Sequence, residues 1–216
     1  AVRKLKLSQA EIDKLVVVER RVVKPTSFGV GYSDSLFQPS IGGKVVWQYA
    51  LWKAVLARCF PNKTRAGKPT YQDVTCCDEW LSFANFVEWV NKEVDYKGKP
   101  VNLELDKDIL AIGNKVYSKD TCCFVPPQIN MLFCTAGAKR GKHPIGVIEV
   151  KGRFVAGLKM YGRKVNVGSY DTPERAFQAY KIAKESHVKS MALQYKDVLR
   201  PDVFDALMVW QVDIFS

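Results

Sequence analysis

The sequence predicts an α+β protein: a front part of helices and short strands, then a three-stranded antiparallel sheet packed on one helix. Three observations carry that prediction. Two aromatic-rich runs, VVWQYALWKAVLARCF and CCDEWLSFANFVEWVNKEV, repeat apolar residues at helical spacing. Three β-type runs, IGVIEV (145–150), RFVAGLKM (153–160) and RKVNVG (163–168), are separated by the hairpin-sized, glycine-bearing links Lys151-Gly152 and Tyr161-Gly162. Thr172-Pro173 then pairs an N-capping hydroxyl with a proline at the first helical residue.

Taken in order, Ser8 to about Val18 reads as a short helix with Ile12, Leu15 and Val16 on one face. Residues 25–44 are rich in Gly, Ser and Pro and read as an extended loop. The first long helix gathers Trp47, Leu51, Trp52, Val55, Leu56 and Cys59. After a polar loop, NKTRAGKPTY, the second gathers Trp80, Phe83, Phe86, Val87 and Val90, with Trp89 at its flank. Aromatic stripes of this kind are core-forming.

Residues 102–130 predict a strand ending in Asp106-Lys107-Asp108 and a turn at Gly113-Asn114. A second strand or loop follows through Cys122–Val125, then a short helix from Pro126-Pro127 that contains Asn130. The small, basic, proline-terminated stretch 135–144 reads as a linker, dividing the chain into 1–134, 135–144 and 145–216. Beyond it, Ala176, Phe177, Ala179, Tyr180 and Ala183 give the last long helix a face that covers the sheet.

Charge narrows the function. The net charge is +11, and residues 135–170 hold eight Lys or Arg against the single acid Glu149, while residues 1–24 hold seven against three. Charge this concentrated favours a polyanionic partner. The apolar fraction of 47% suffices for packed cores, and no run is long and uncharged enough to span a bilayer, so no membrane association is expected. The charged N-terminus carries no secretory pattern, and opening on Ala fits removal of an initiator Met, so a cytoplasmic location is expected. Six cysteines (Cys59, Cys76, Cys77, Cys122, Cys123 and Cys134) include no Cys-x-x-Cys, and neither His143 nor His187 stands at finger spacing. Free, mostly buried thiols are expected, and zinc is not. Both histidines read as surface or satisfied side chains.

Two constellations carry chemistry. In the middle strand of the sheet, Phe154, Ala156, Leu158 and Met160 alternate with Arg153, Val155, Gly157 and Lys159, which gives one apolar face and one face of cationic and small residues. Lysine and arginine on such a face can neutralise phosphates and release counterions. In the front part, Asp106 and Asp108 at i and i+2 would share a strand face and could share a Mg²⁺ ion. From residue types alone, Asp-Lys-Asp reads first as a solvated strand corner and Gly-Asn as a turn.

The order of GV, a basic turn, an aromatic-Val-Ala strand, a basic strand ending in Gly and then Tyr-Asp-Thr-Pro-Glu-Arg-Ala resembles the plant APETALA2/ethylene-response type of DNA-binding domain. That resemblance covers about the last third of the chain. It implies a sheet lying in the major groove of double-stranded DNA, with Lys151, Arg153, Lys159, Arg163, Lys164 and Asn166 as the DNA-binding set. Asn166 stands where the family usually has a base-reading aromatic, and Gly157 where it often has an acid, so phosphate contact is the expected mode.

The strand–turn–strand–helix block at 102–130 resembles the HNH, or ββα-metal, nuclease finger of phage-encoded proteins with an appended domain of that type. The resemblance implies a Mg²⁺-dependent DNA endonuclease with Asp106, Lys107, Asp108 and Asn114 in the catalytic set and Asp106 and Asn130 as metal ligands. The family's general base is a histidine immediately after the first ligand, and Lys107 stands there. An ordinary lysine is protonated at neutral pH, so it binds phosphate and is a poor base. Two other readings stand beside the nuclease: a non-catalytic DNA-binding protein on a nuclease-like scaffold, and a protein whose aromatics engage a host protein.

Overall fold

The computed structural model describes residues 27–34, 38–61, 71, 73–94, 102–133 and 142–212. The expected N-terminal helix from Ser8, most of the NKTRAGKPTY loop, Cys134 and most of the linker lie outside them. The fold is mixed α+β and forms two compact units, residues 1–100 with 111–124 and residues 101–110 with 125–216. The segment 125–133 thus groups with the C-terminal sheet, and the chain changes unit at 100/101, 110/111 and 124/125.

In the first unit, a small antiparallel hairpin, β1 (Ser40–Ile41) and β2 (Lys44–Val45), turns through Gly42 and Gly43, both at positive φ. The sequence reads this region as loop. Helix α1 (Trp47–Cys59) buries Trp52, Val55, Leu56 and Cys59, while Trp47 and Leu51 stay half-buried. Strand β3 (Thr75–Cys76) pairs in parallel with β5 (Val116–Tyr117), two elements that their two-residue length hides from any periodicity.

Trp80 sits in a 3₁₀ turn, Asp78–Leu81, and α2 begins only at Phe83 and runs to Val94. Ser82 sets that start: its hydroxyl accepts from the Asn85 N–H (3.1 Å) and donates to Asp34 (2.8 Å), whose carboxylate also accepts from the Ala84 N–H (3.1 Å). The core closes around Trp52, whose indole N–H donates to the Trp80 carbonyl at 2.7 Å and whose ring lies 5.4 Å from that of Phe83. Trp80, Phe83, Phe86, Val87 and Val90 are buried as expected, and Trp89 flanks them with its ring stacked 5.6 Å from Phe124.

The second unit contains β4 (Glu104–Asp106), α3 (Pro127–Asn130), the sheet β7 (Val147–Val150), β8 (Arg153–Met160) and β9 (Arg163–Tyr170), then α4 (Pro173–Gln194) and α5 (Pro201–Val209). Strand β6 (Cys123–Val125) ends where this unit resumes. The sheet is antiparallel in the order β7–β8–β9. Both turns carry two positive-φ residues, Lys151 (51°) with Gly152 (77°) and Tyr161 (48°) with Gly162 (80°), the geometry that matches strand twist in tight hairpins.

Thr172 caps α4 by accepting the Arg175 N–H at 3.3 Å, and Pro173 takes the first helical position. Ala176, Phe177 and Tyr180 are buried against Val147, Ala156 and Leu158, with Ala179 and Ala183 partly buried beside them. Gly146 is required at its place. Its φ is +77°, and a Cβ would lie 2.1 Å from the Tyr180 ring. The α3 turn is tied to α4 by the Lys184 ammonium, which donates to the Leu132 carbonyl at 2.6 Å. No helix among the described residues is long and apolar enough to cross a membrane.

Candidate nucleic-acid interface

The cross-strand register decides which side chains share the open face of the sheet. Directly opposed residues point to the same side. Phe154 with Tyr170, Ala156 with Gly168 and Leu158 with Val165 face α4, so Val155 with Ser169, Gly157 with Asn166 and Lys159 with Lys164 face away from it. Ile148 opposite Val155 and Val150 opposite Arg153 complete that open face. Its cations are Arg153, Lys159 and Lys164, all exposed, with Lys151 on the adjoining turn. Glu149 opposes Phe154 and therefore belongs to the helix side, where it pairs with Lys142 and His143 at 3.1 Å each. The open strand face therefore carries no carboxylate.

Three details were not legible in the sequence. A β-bulge between Ala156 and Gly157 lets β9 continue to Tyr170, two residues beyond the expected end at Gly168. Val167, the extra residue, packs toward the core. Asn166 stabilises the bulge, its side-chain oxygen accepting the Gly168 N–H at 3.0 Å, so only part of its amide faces outward. Arg163 opposes Met160, on the helix side, and so stands apart from Lys159 and Lys164. Arg153 is held across the sheet by donating to the Ser169 hydroxyl and carbonyl, both at 3.1 Å, which aims its guanidinium along the open face.

The residues expected around a metal are arranged differently. Strand β4 ends at Asp106, so the alternation that would align Asp106 with Asp108 does not operate. Instead, one Asp106 oxygen accepts the N–H groups of Asp108 (2.7 Å) and Ile109 (2.8 Å), capping a turn. Burial pushes the Asp106 carboxyl above the usual carboxylate range, against the opposing pull of those two N–H groups. The Lys107 ammonium donates to Asp108. Asn130 donates to Glu104 at 2.6 Å, and Asn114 brackets its own turn, contacting the Val116 N–H at 3.0 Å and carbonyl at 2.6 Å.

A Mg²⁺ ion takes several convergent oxygens in near-octahedral geometry. As folded, one Asp106 oxygen is spent on its own turn and the Asn130 amide donates to Glu104, so these two side chains are not presented together as ligand oxygens. Among the described residues, no group of three or more His, Cys, Asp or Glu side chains converges on a metal-sized site.

The histidines part company as well. His143 is engaged with Glu149, whereas His187 is 3% exposed and its Nδ1 has no hydrogen-bond partner among the described residues, with the Tyr161 ring 4.9 Å away. The expectation of a surface or satisfied side chain fails there. The helical pattern marks His187 no differently from its neighbours, and the Tyr161 ring is brought beside it only by the β8–β9 turn. Comparisons with protein-family models, curated proteins and solved structures return no match for this chain.

Proposed function

We propose that the protein binds double-stranded DNA through the open face of β7–β8–β9, chiefly by phosphate contact. One observation carries the reading: Lys159 lies directly opposite Lys164 on a strand face without a carboxylate. Like charges in that position destabilise a sheet by a few tenths to about 1 kcal/mol. A phosphate placed between them turns the repulsion into attraction, and Arg153 and Lys151 extend the same cationic path. The exposed aliphatics Ile148 and Val150 supply flat apolar contact beside it. Arg153 is held by Ser169 and Asn166 spends part of its amide on the bulge, so backbone positioning is expected to outweigh base readout.

Cleavage of the bound strand is the second reading, favoured by the chain order β4, turn, β6, α3 and by nothing in the donor geometry. Hydrolysis needs a group that accepts a proton from water. The Lys107 ammonium is a donor to Asp108, and the Asp106 oxygen that binds two N–H groups is engaged as a turn cap. Incubation with supercoiled plasmid, with and without Mg²⁺ or Mn²⁺, separates the readings. A mobility shift with intact plasmid is the expected result. Metal-dependent nicking that Asp106→Ala abolishes would establish the nuclease instead, and absence of both shift and nicking would overturn DNA binding.

A further inference from the structure

The first unit holds a cluster that the DNA-binding face does not use, where the last turn of α1 packs on β3. Cys59, the final residue of α1, is buried, and its thiol is in side-chain hydrogen-bond contact with that of Cys76 on β3. Cys76 is half-buried, and none of the five described cysteines is in a disulfide.

Arg58 lies alongside. Its guanidinium donates to the Tyr117 hydroxyl at 3.1 Å and sits 6.0 Å from the Tyr71 ring centroid and 5.9 Å from that of Tyr117. Among the described residues no carboxylate pairs with it. Burial opposes the Arg58 charge, but Tyr117, Tyr71 and Cys59 more than offset that, so the guanidinium holds its proton firmly. The guanidinium acts on Cys59, whereas at Cys76 the Asp78 carboxylate and burial oppose the thiolate and the contact with Cys59 outweighs them.

We propose that Cys59 and Cys76 form a redox-responsive dithiol that closes to a disulfide on exposure to hydrogen peroxide. Cys76, the more accessible sulfur, attacks first. Its thiolate forms a bond to one peroxide oxygen as the O–O bond breaks, giving a sulfenic acid at Cys76 and one water after proton uptake. The Cys59 sulfur then displaces the Cys76 hydroxyl, forming the S–S bond and releasing a second water. The two sulfurs together lose two electrons, and the peroxide gains them.

The neighbouring Cys77 supplies a built-in comparison. Hydrogen bonding from Cys59 holds the Cys76 thiol below its ordinary value despite burial, whereas burial pushes Cys77 up. Adjacent cysteines of one strand end are thereby made unequal, and only one of them touches a resolving partner.

The test treats the full-length protein with hydrogen peroxide, blocks remaining thiols and maps peptides without reduction. The expected product has lost two hydrogen masses and joins the peptide carrying Cys59 to the one carrying Cys76 and Cys77. That link should persist in Cys77→Ser and vanish in Cys76→Ser, while Cys59→Ala should leave Cys76 as a sulfenic acid trapped by dimedone. The wild-type and Cys77→Ser maps decide the matter even if the core variant at Cys59 folds poorly. A link that survives Cys76→Ser, a link to Cys122, or an unchanged mass after peroxide would each overturn the proposal.

Discussion

Replacing Lys159 and Lys164 together by Ala tests the sheet face, and the magnitude follows from the cations on it. Arg153, Lys159 and Lys164 share the open face and Lys151 adjoins it. If each neutralises one phosphate, log Kobs against log salt has a slope of about −3.6, and the double variant a slope of about −1.8. Between about 50 and 200 mM salt the wild type should then weaken about 150-fold and the variant about 12-fold. At about 0.1 M salt the variant should bind about 60-fold more weakly, provided the remaining contacts are unchanged.

Folding should not suffer, since the substitution removes a like-charge cross-strand pair and leaves the core side of β8 and β9 untouched. Fluorescence anisotropy on a short labelled duplex, repeated across a salt series, reads both slope and affinity. Arg163→Ala is the internal control: it alters charge by one unit on the helix-facing side and should move the slope far less than either lysine. A double variant with the wild-type slope, or an Arg163→Ala slope as shallow as the double variant's, would refute the assignment of the face.

Two further outcomes test the fold around the site. Because one Asp106 oxygen accepts two N–H groups, Asp106→Ala should cost about 1–3 kcal/mol, whereas Asp106→Asn keeps an acceptor and should cost less. Burial raises the Asp106 pKa, so the folded state favours its protonated form and its contribution to stability falls as pH rises through the carboxylate range. Urea unfolding at pH 4 and pH 7 should therefore show Asp106→Asn gaining on wild type at the higher pH, and a loss there equal to that of Asp106→Ala would contradict the turn-cap role. Gly146→Ala places a methyl against Tyr180 at positive φ and should destabilise by about 2–5 kcal/mol, read as a lower urea midpoint; an unchanged midpoint would show that the close approach of Gly146 and Tyr180 is misplaced.

The sheet and its helix were legible because their signals are local. Glycine after Lys151 and Tyr161, period-two alternation in β8 and the Thr172-Pro173 cap each act within a few residues. What escaped depends on partners far along the chain. Trp80 looks helical by spacing, yet α2 starts later because Asp34, 48 residues before Ser82, completes the cap. Gly168 reads as a strand end, but the register with Ala156 carries β9 past it and leaves Val167 as the bulge. That bulge also sets which side Arg163 and Lys164 take relative to Tyr170, a parity no run of residue types can reveal. At Asp106 the strand was foreseen, and its early end was not: the carboxylate bonds forward to its own backbone and halts the alternation on which a shared cation depended.

The path of the chain between its two compact units bears on how the protein is made and dissected. The first unit has its last segment once residue 124 has been synthesised, whereas the second begins with residues 101–110 and gains α5 only with residues 201–209. During synthesis β4 therefore waits only about twenty residues for α3, which packs on it and ties Asn130 to Glu104, while the rest of its unit follows up to α5, since translation runs from the N-terminus. The same threading defeats simple truncation. A cut at 135–144 would leave β4 and α3 on one fragment and the sheet with α4 on the other, separating the Leu132 carbonyl from the Lys184 ammonium that binds it.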